Sequence, residues 1–228
     1  TLAERRTQGF RFFQDVEAWG SSRDASVPSR ELIGPEAALT RFVGAVVGEV
    51  FPQEAGFLDA AVYDATGLSQ TKGLRKTSLR LVWPGVVVDA ERASRVRDLL
   101  VHRLGSASTE GGPIADLETS LLKHSASNAW HSVFSDAAYS LRANVRMPLN
   151  DRVSPMPLRA PERRPLQPVG VLRFFYKGDG KMKVEWLCRK DELDSAEWIK
   201  IGSLRQPADA KLSDWSVPSW LGKAPVPP

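Results

Sequence analysis

The chain has 228 residues, of which 42% are hydrophobic and 25% are charged, a composition typical of an ordinary globular protein. Its 31 lysines and arginines outnumber its 27 acidic residues, and the resulting net charge of +4 favours polyanionic partners only mildly. The single cysteine, Cys188, excludes a disulfide framework and a cysteine-rich zinc module. No apolar run reaches the roughly 18 to 20 residues that cross a bilayer, and neither a secretory segment nor a methionine begins the sequence. We therefore expect a soluble, intracellular piece of a longer protein.

Strands and helices alternate in the first half of the predicted structure. Aromatic and β-branched residues predict strands, apolar residues at steps of three and four predict helices, and glycine and proline predict their ends. In chain order we expect a strand through Asp15 to Trp19, a helix between Pro35 and Pro52, a strand over 58–63, a polar loop over 66–75 and a strand over 78–83 that ends at Pro84.

The second half is predicted to begin with a long helix, capped by Asp89 and ended at Gly105. A second helix over 114–123 and extended segments over 132–139 and 144–149 follow. The proline-rich, basic stretch 155–168 predicts an extended connection, and 169–176 with 181–188 predict a β-hairpin. This order indicates an α+β or mixed α/β fold, with one domain over 1–206 and a tail over 207–228 that is either docked through its tryptophans or frayed.

A pair of carboxylates is the first candidate functional feature. Asp15 and Glu17 are two positions apart in a predicted strand, so both side chains point to one face. Two carboxylates this close repel each other unless a cation lies between them, and Mg²⁺ or Mn²⁺ prefers such oxygen ligands. The alternative is a strand that exposes two acids to water.

A second pattern with the same spacing is cationic. Lys76, Ser78 and Arg80 share one face of the strand predicted over 78–83, where an ammonium, a hydroxyl and a guanidinium suit a phosphate group. A solvated outer face of a sheet is the alternative here. A third group follows in Asp136, Asn144, Arg146 and Arg152, where Asp136 could complete a set of carboxylates with Asp15 and Glu17.

In this order, the motifs Asp-x-Glu, Lys-x-Ser-x-Arg, Asp-x-x-Tyr and Asn-x-Arg, with Arg152 six positions further, resemble the catalytic core of the archaeo-eukaryotic primases. The resemblance is nearest to the eukaryotic primase-polymerases and spans about three quarters of the chain. It implies an RRM-like mixed α/β catalytic module and a template-dependent DNA primase or polymerase. Arg80 stands where the family usually has histidine, so a contact to triphosphate is retained while a titratable group is lost.

The resemblance also implies a role for each motif. Asp15, Glu17 and Asp136 would be catalytic ligands of two Mg²⁺ or Mn²⁺ ions. The triphosphate would be bound by Lys76, Ser78, Arg80, Asn144, Arg146 and Arg152. The expected partners are nucleoside triphosphates, single-stranded or primed DNA, and replication proteins or a helicase, with no membrane. The expected location is the nucleus or a DNA-containing organelle in a eukaryote, and otherwise the cytoplasm.

Two other functions remain open at this stage. A catalytically inactive relative would keep the fold and bind nucleic acid or another protein. A metal-dependent nuclease or phosphoesterase would use the same acids to activate water and would release mononucleotides.

Overall fold

The computed structural model describes residues 3–52, 56–139, 144–151, 164–176 and 182–217, and only the backbone of Arg5, Asn144 and Tyr176. Its helices and strands are, in chain order, β1 (Ala3–Arg5), β2 (Phe10–Trp19), α1 (Ser29–Leu32), α2 (Ala38–Val50), β3 (Phe57–Asp64), β4 (Gly67–Leu68), β5 (Arg75–Val88), α3 (Ala90–Glu110), α4 (Pro113–His124), α5 (Trp130–Val133), β6 (Asn144–Arg146), β7 (Gln167–Tyr176), β8 (Met182–Arg189) and α6 (Ser195–Gly202). Two 3₁₀ helices, Asp136–Tyr139 and Lys190–Glu192, join them. None of the described helices is long and apolar enough to cross a membrane.

The main sheet is antiparallel throughout. Its strands follow the order β2-β5-β3-β7-β8, with the short β4 paired to β5. A separate two-stranded ladder joins β1 to β6. An antiparallel sheet with packed helices is an α+β architecture, which confirms the predicted fold class at that level.

The two faces of the main sheet carry different side chains. One face is apolar: Phe12 contacts Phe51, Trp83 contacts Phe174, and Gly44 of α2 lies directly against the Phe174 ring. Tyr63 points to the opposite face, where its ring meets Trp198 of α6 edge-on, with the ring centroids 5.9 Å apart. We call this second face the site face, because it also carries Asp15 and Glu17 of β2 and Lys76, Ser78 and Arg80 of β5.

Strand β5 continues beyond the end that Pro84 and Gly85 predict. The pairing with β2 steps from Phe12 opposite Trp83 to Arg11 opposite Val87, so the intervening residues of β5 form a bulge. Proline has no N–H to donate, and a bulge is one of the few places where a strand needs none there. The proline and glycine mark an irregularity in the strand rather than its end.

Helix α3 was predicted to end at Gly105 but ends at Glu110. The Asp89 cap is confirmed, since its side chain accepts from the Arg92 N–H at 2.8 Å. Gly105 has no positive φ, and an added Cβ there would meet open space, so it is an ordinary interior residue. Gly111 and Gly112, with φ of 87° and 85°, adopt a positive-φ backbone that favours glycine, and α3 ends just before them.

The prediction of an extended segment over 132–139 was wrong, because helix α5 and the 3₁₀ helix Asp136–Tyr139 lie there. Trp130 and Val133 are both buried and are three positions apart, which puts them on one side of a helical turn. The Arg97 guanidinium donates to the carbonyls of His131 and Phe134 and satisfies backbone groups at the end of that turn.

The hairpin prediction is confirmed, since β7 and β8 are paired antiparallel, while its tip at 177–181 lies outside the described residues. The domain boundary after residue 206 stays a prediction. Residues beyond it contact the sheet and α2: Ser213 donates to Val87 at 2.8 Å and Ser216 donates to Val50 at 2.7 Å. Trp220 lies outside the described residues.

Candidate active site

The pairing of β2 with β5 brings the first two motifs together. Asp15 lies directly opposite Arg80, and Glu17 lies directly opposite Ser78. Directly opposite residues of an antiparallel pair point to the same side of the sheet, so the two acids and the basic motif share the site face. The strand periodicity predicted the face of each motif, but not that the two motifs would be neighbours.

Asp15 and Arg80 form a two-pronged ion pair. The Arg80 Nε and Nη2 atoms donate to the two Asp15 carboxylate oxygens at 2.7 and 2.8 Å. Only 9% of the Arg80 side chain and 19% of the Asp15 side chain are exposed. Burial disfavours the guanidinium charge, but the attraction of Asp15 outweighs it and raises the pKa of Arg80. Arg80 therefore keeps its positive charge at any physiological pH.

Arg80 is held in place by two further contacts. Its Nη1 donates to the Arg146 carbonyl at 2.8 Å, and its guanidinium lies over the Phe13 ring at 5.1 Å from the centroid. Phe13 in turn packs against Tyr139, whose hydroxyl donates to the Phe13 carbonyl at 2.6 Å. Burial raises the pKa of the Tyr139 hydroxyl, and the nearby Asp15 charge raises it further.

Glu17 and Lys76 form a second ion pair on the same face. The Lys76 ammonium lies 2.6 Å from one Glu17 oxygen, and the Ser78 hydroxyl donates to the other at 3.4 Å. The lysine side chain is only 9% exposed, whereas the glutamate is 27% exposed. Both predicted carboxylates thus have cations of the neighbouring strand as counter-ions.

The third motif is only partly brought to this face. Arg146 is in β6, and its carbonyl contacts Arg80. Asp136 is exposed in the 3₁₀ helix Asp136–Tyr139. The backbone of Asn144 begins β6, but its side chain lies outside what the structure describes, as does the whole of Arg152.

Arg164 is a site residue that the sequence did not single out. It is only 5% exposed, and its carbonyl accepts from the Arg146 guanidinium. Its side chain crosses Gly67, where an added Cβ would come within 2.7 Å of the Arg164 Cδ. Gly67 is paired with Lys76, which brings Arg164 to the basic motif. The sequence offered no spacing that separates Arg164 from the other arginines of its stretch, although Gly67 was a possible signal.

The described part of the site is rich in cationic side chains. Two carboxylates, from Asp15 and Glu17, face four cations that are joined by the contacts above. These cations are Lys76, Arg80, Arg146 and Arg164. Cationic side chains grouped in this way suit the binding of an anion such as a phosphate group.

The described site has carboxylates of the type that bind a metal ion, but they are not arranged around a common position. Asp15 and Glu17 offer the hard oxygen ligands that Mg²⁺ and Mn²⁺ prefer. Each carboxylate is at present held by Arg80 or Lys76. In the described ranges, no group of three or more acidic, histidine or cysteine side chains is arranged to hold a metal ion. Binding of a metal by these two acids therefore requires their cations to move to another anion.

Comparisons with known proteins add no family. No family model matches the chain, and no curated protein matches it.

Proposed function

We propose that this domain is a template-dependent primase or polymerase that transfers nucleotides from (d)NTPs to a nucleic-acid 3′-hydroxyl. The observation that carries the proposal is the register of β2 and β5, which sets Asp15 and Glu17 opposite the Lys-x-Ser-x-Arg motif on one face. A metal-bound triphosphate has both signs of charge, and this face offers partners for both. The order of motifs that resembles the primase-polymerases supports the same reaction.

The cationic residues would hold the triphosphate. Lys76 supplies a point charge, Ser78 a hydroxyl donor and Arg80 a planar fork, and all three lie on one side of β5. Arg146 and Arg164 add charge beside this row, and Asn144 and Arg152 belong to the same proposed set. Neutralised phosphates make the pyrophosphate a better leaving group.

The acidic residues would hold Mg²⁺ or Mn²⁺. Asp15 and Glu17 fit this role by their donor chemistry, with Asp136 as the proposed third ligand. Such ions, when bound, assist attack of a 3′-hydroxyl on the α-phosphate. The metal ions would replace Arg80 and Lys76 as counter-ions of Asp15 and Glu17, and the two cationic side chains would then bind the phosphates. This function would place the protein inside the cell beside DNA, in the nucleus or a DNA-containing organelle of a eukaryote and otherwise in the cytoplasm. Its protein partners would be replication proteins or a helicase.

Extension of a labelled primer on a template tests this function. The wild type, with dNTPs or NTPs and Mn²⁺ or Mg²⁺, is expected to extend the primer, and Asp15→Asn with Glu17→Gln is expected to abolish extension. The matched control is Glu36→Gln with Glu91→Gln, since both acids form ion pairs with mostly exposed side chains. Circular dichroism must show that both variants fold. Equal activity of the wild type and the Asp15/Glu17 variant contradicts the proposal.

A second candidate function is a catalytically inactive relative that binds nucleic acid or protein. It is favoured because Asp15 and Glu17 are already paired with Arg80 and Lys76. Salt-dependent binding of single-stranded DNA without extension identifies it. Release of mononucleotides from DNA instead identifies the metal-dependent nuclease or phosphoesterase.

A further inference from the structure

Trp19 is the last residue of β2 and lies beside the charged cluster. It is directly opposite Lys76, so its indole shares the site face with Asp15 and Glu17. It is four positions beyond Asp15, a distance of about 13 Å along β2. The ring is only partly buried. A planar aromatic surface is thus available at the edge of the proposed active site.

Two ammonium groups lie against this ring. The Lys72 nitrogen is 4.3 Å from the ring centroid, and the Lys76 nitrogen is 4.9 Å from it. Lys76 is already paired with Glu17, whereas Lys72 is exposed and has no carboxylate partner among the residues that the structure describes. Lys72 can therefore leave the ring and remain within reach of a phosphate.

The backbone under Trp19 is fixed. The Asn128 side chain, only 1% exposed, accepts from the Trp19 N–H at 2.7 Å and donates to the Trp19 carbonyl at 2.8 Å. The next residue, Gly20, donates to the Arg75 carbonyl at 2.8 Å. An added Cβ on Gly20 would lie 1.7 Å from the Ala25 carbonyl oxygen, so glycine is required there. The backbone that carries the indole is therefore fixed, which lowers the entropy lost when a ligand stacks on the ring.

We propose that Trp19 and Lys72 form a stacking subsite for a base of single-stranded nucleic acid, with Lys72 bound to an adjacent phosphate. Aromatic rings stack on every base, and a nearby cation adds salt-dependent affinity with little sequence preference. The subsite rests on the proposed function, in which this strand is the template. It extends the binding surface beyond the triphosphate cluster, toward the end of β2.

Fluorescence anisotropy of a labelled single-stranded oligonucleotide tests the subsite in the full chain. Trp19→Ala is expected to weaken binding roughly 5- to 150-fold, the range found for the loss of one stacked base. Trp19→Phe is expected to restore most of the affinity. Lys72→Ala is expected to make the dependence of log affinity on log salt shallower by about 0.7, the value for one phosphate contact on a single strand.

Trp215 is a matched control. It too is partly buried and has two cations against its ring, Arg92 at 5.2 Å and Arg95 at 6.0 Å, but it lies beside α3. Trp215→Ala is expected to leave oligonucleotide affinity unchanged. The subsite is overturned if the wild type does not bind the oligonucleotide, if Trp19→Ala binds as tightly as the wild type, or if both tryptophan variants lose affinity equally. If Trp19→Ala does not fold, an unchanged salt slope in Lys72→Ala overturns it.

Primer extension measured beside these assays separates the two proposals. Extension by the wild type with unchanged oligonucleotide affinity in Trp19→Ala overturns the subsite and leaves the function standing. Binding that depends on Trp19 in a wild type that never extends a primer supports the subsite and contradicts the function.

Discussion

At the residue scale, the Asp15–Arg80 pair determines how the site responds to mutation. Asp15→Ala removes one member and leaves a guanidinium that is only 9% exposed without its counter-ion. We expect a loss of about 3–5 kcal/mol in the free energy of unfolding, since removing one partner of a buried ion pair leaves the remaining charge without its counter-ion. Urea denaturation followed by circular dichroism measures it.

The Glu36–Arg41 pair supplies the control for this measurement. Its side chains are 91% and 48% exposed, and Glu36→Ala is expected to cost at most about 1 kcal/mol because water screens such pairs. Similar losses for Asp15→Ala and Glu36→Ala would show that Arg80 finds another partner. The expected difference also explains why the activity test uses Asp15→Asn, which keeps the shape of the side chain.

Two buried tyrosines make stability fall in alkali. The hydroxyls of Tyr63 and Tyr139 donate to the carbonyls of Trp198 and Phe13 at 2.7 and 2.6 Å. Burial raises the pKa of both above the ordinary value of 10.0. The folded state therefore keeps protons that the unfolded state loses, and their contribution is complete below pH 10 and declines above it.

The expected decline is about 1.4 kcal/mol per pH unit for each tyrosine above pH 10. Urea midpoints measured between about pH 9 and pH 11.5 are expected to follow this slope. The double variant Tyr63→Phe with Tyr139→Phe is expected to lose stability at neutral pH but to show a shallower decline in alkali. Parallel curves for the wild type and the variant would contradict the prediction.

At the element scale, the same substitution, glycine to alanine, is expected to change stability in opposite directions in helices α2 and α3. A Cβ on Gly44 would lie 2.3 Å from the Phe174 ring, whereas one on Gly105 of α3 would meet open space. We expect Gly44→Ala to destabilise the fold by about 1–3 kcal/mol through overpacking. Gly105→Ala is expected to stabilise it by about 0.5–1 kcal/mol, because alanine loses less entropy in a helix.

Thermal unfolding of the two variants measures both signs in one experiment. Stabilisation by Gly44→Ala would mean that α2 can move away from Phe174 without loss. Destabilisation by Gly105→Ala would mean that the surface of α3 at this position packs against another part of the protein.

Secondary structure was predictable where local signals agree with burial. The Asp89 cap and the apolar spacing of α2 are read from neighbouring residues, and both are present. Pro84 and Gly85 misled because the same residues that end a strand also suit a bulge inside one, and only the pairing with β2 distinguishes the two. The helical turn at Trp130–Val133 depends on burial and on Arg97, which is distant in sequence.

The whole molecule determines what the sequence could say about the site. Strand periodicity predicts that Asp15 and Glu17 share a face and that Lys76, Ser78 and Arg80 share another, but the register that merges them is a property of the assembled sheet. Arg164 reaches the cluster through the absence of a side chain at Gly67, and the residues around Arg164 in the sequence do not indicate this contact.

At the same scale, the pairing of the two acids with Arg80 and Lys76 predicts that a metal ion and a triphosphate bind cooperatively. A metal ion alone must displace Arg80 and Lys76 from their carboxylates, and a triphosphate alone must draw the same cations away. Each ligand alone leaves one set of half-buried charges without partners, whereas both together satisfy both sets. We expect each to raise the affinity for the other by roughly 5- to 150-fold, the range of a coupling of 1–3 kcal/mol.

Calorimetric titration of a non-hydrolysable triphosphate, with Mn²⁺ or with EDTA, measures this coupling once the association of metal and triphosphate in solution is subtracted. Asp15→Asn with Glu17→Gln provides a counter-test, because neutral side chains no longer compete for Lys76 and Arg80. This variant is expected to bind the metal-free triphosphate more tightly than the wild type and to gain little from Mn²⁺. Weaker metal-free binding by the variant would mean that the ion pairs position Lys76 and Arg80 for the phosphates. The prediction that these cations exchange their carboxylates for phosphates would then be wrong.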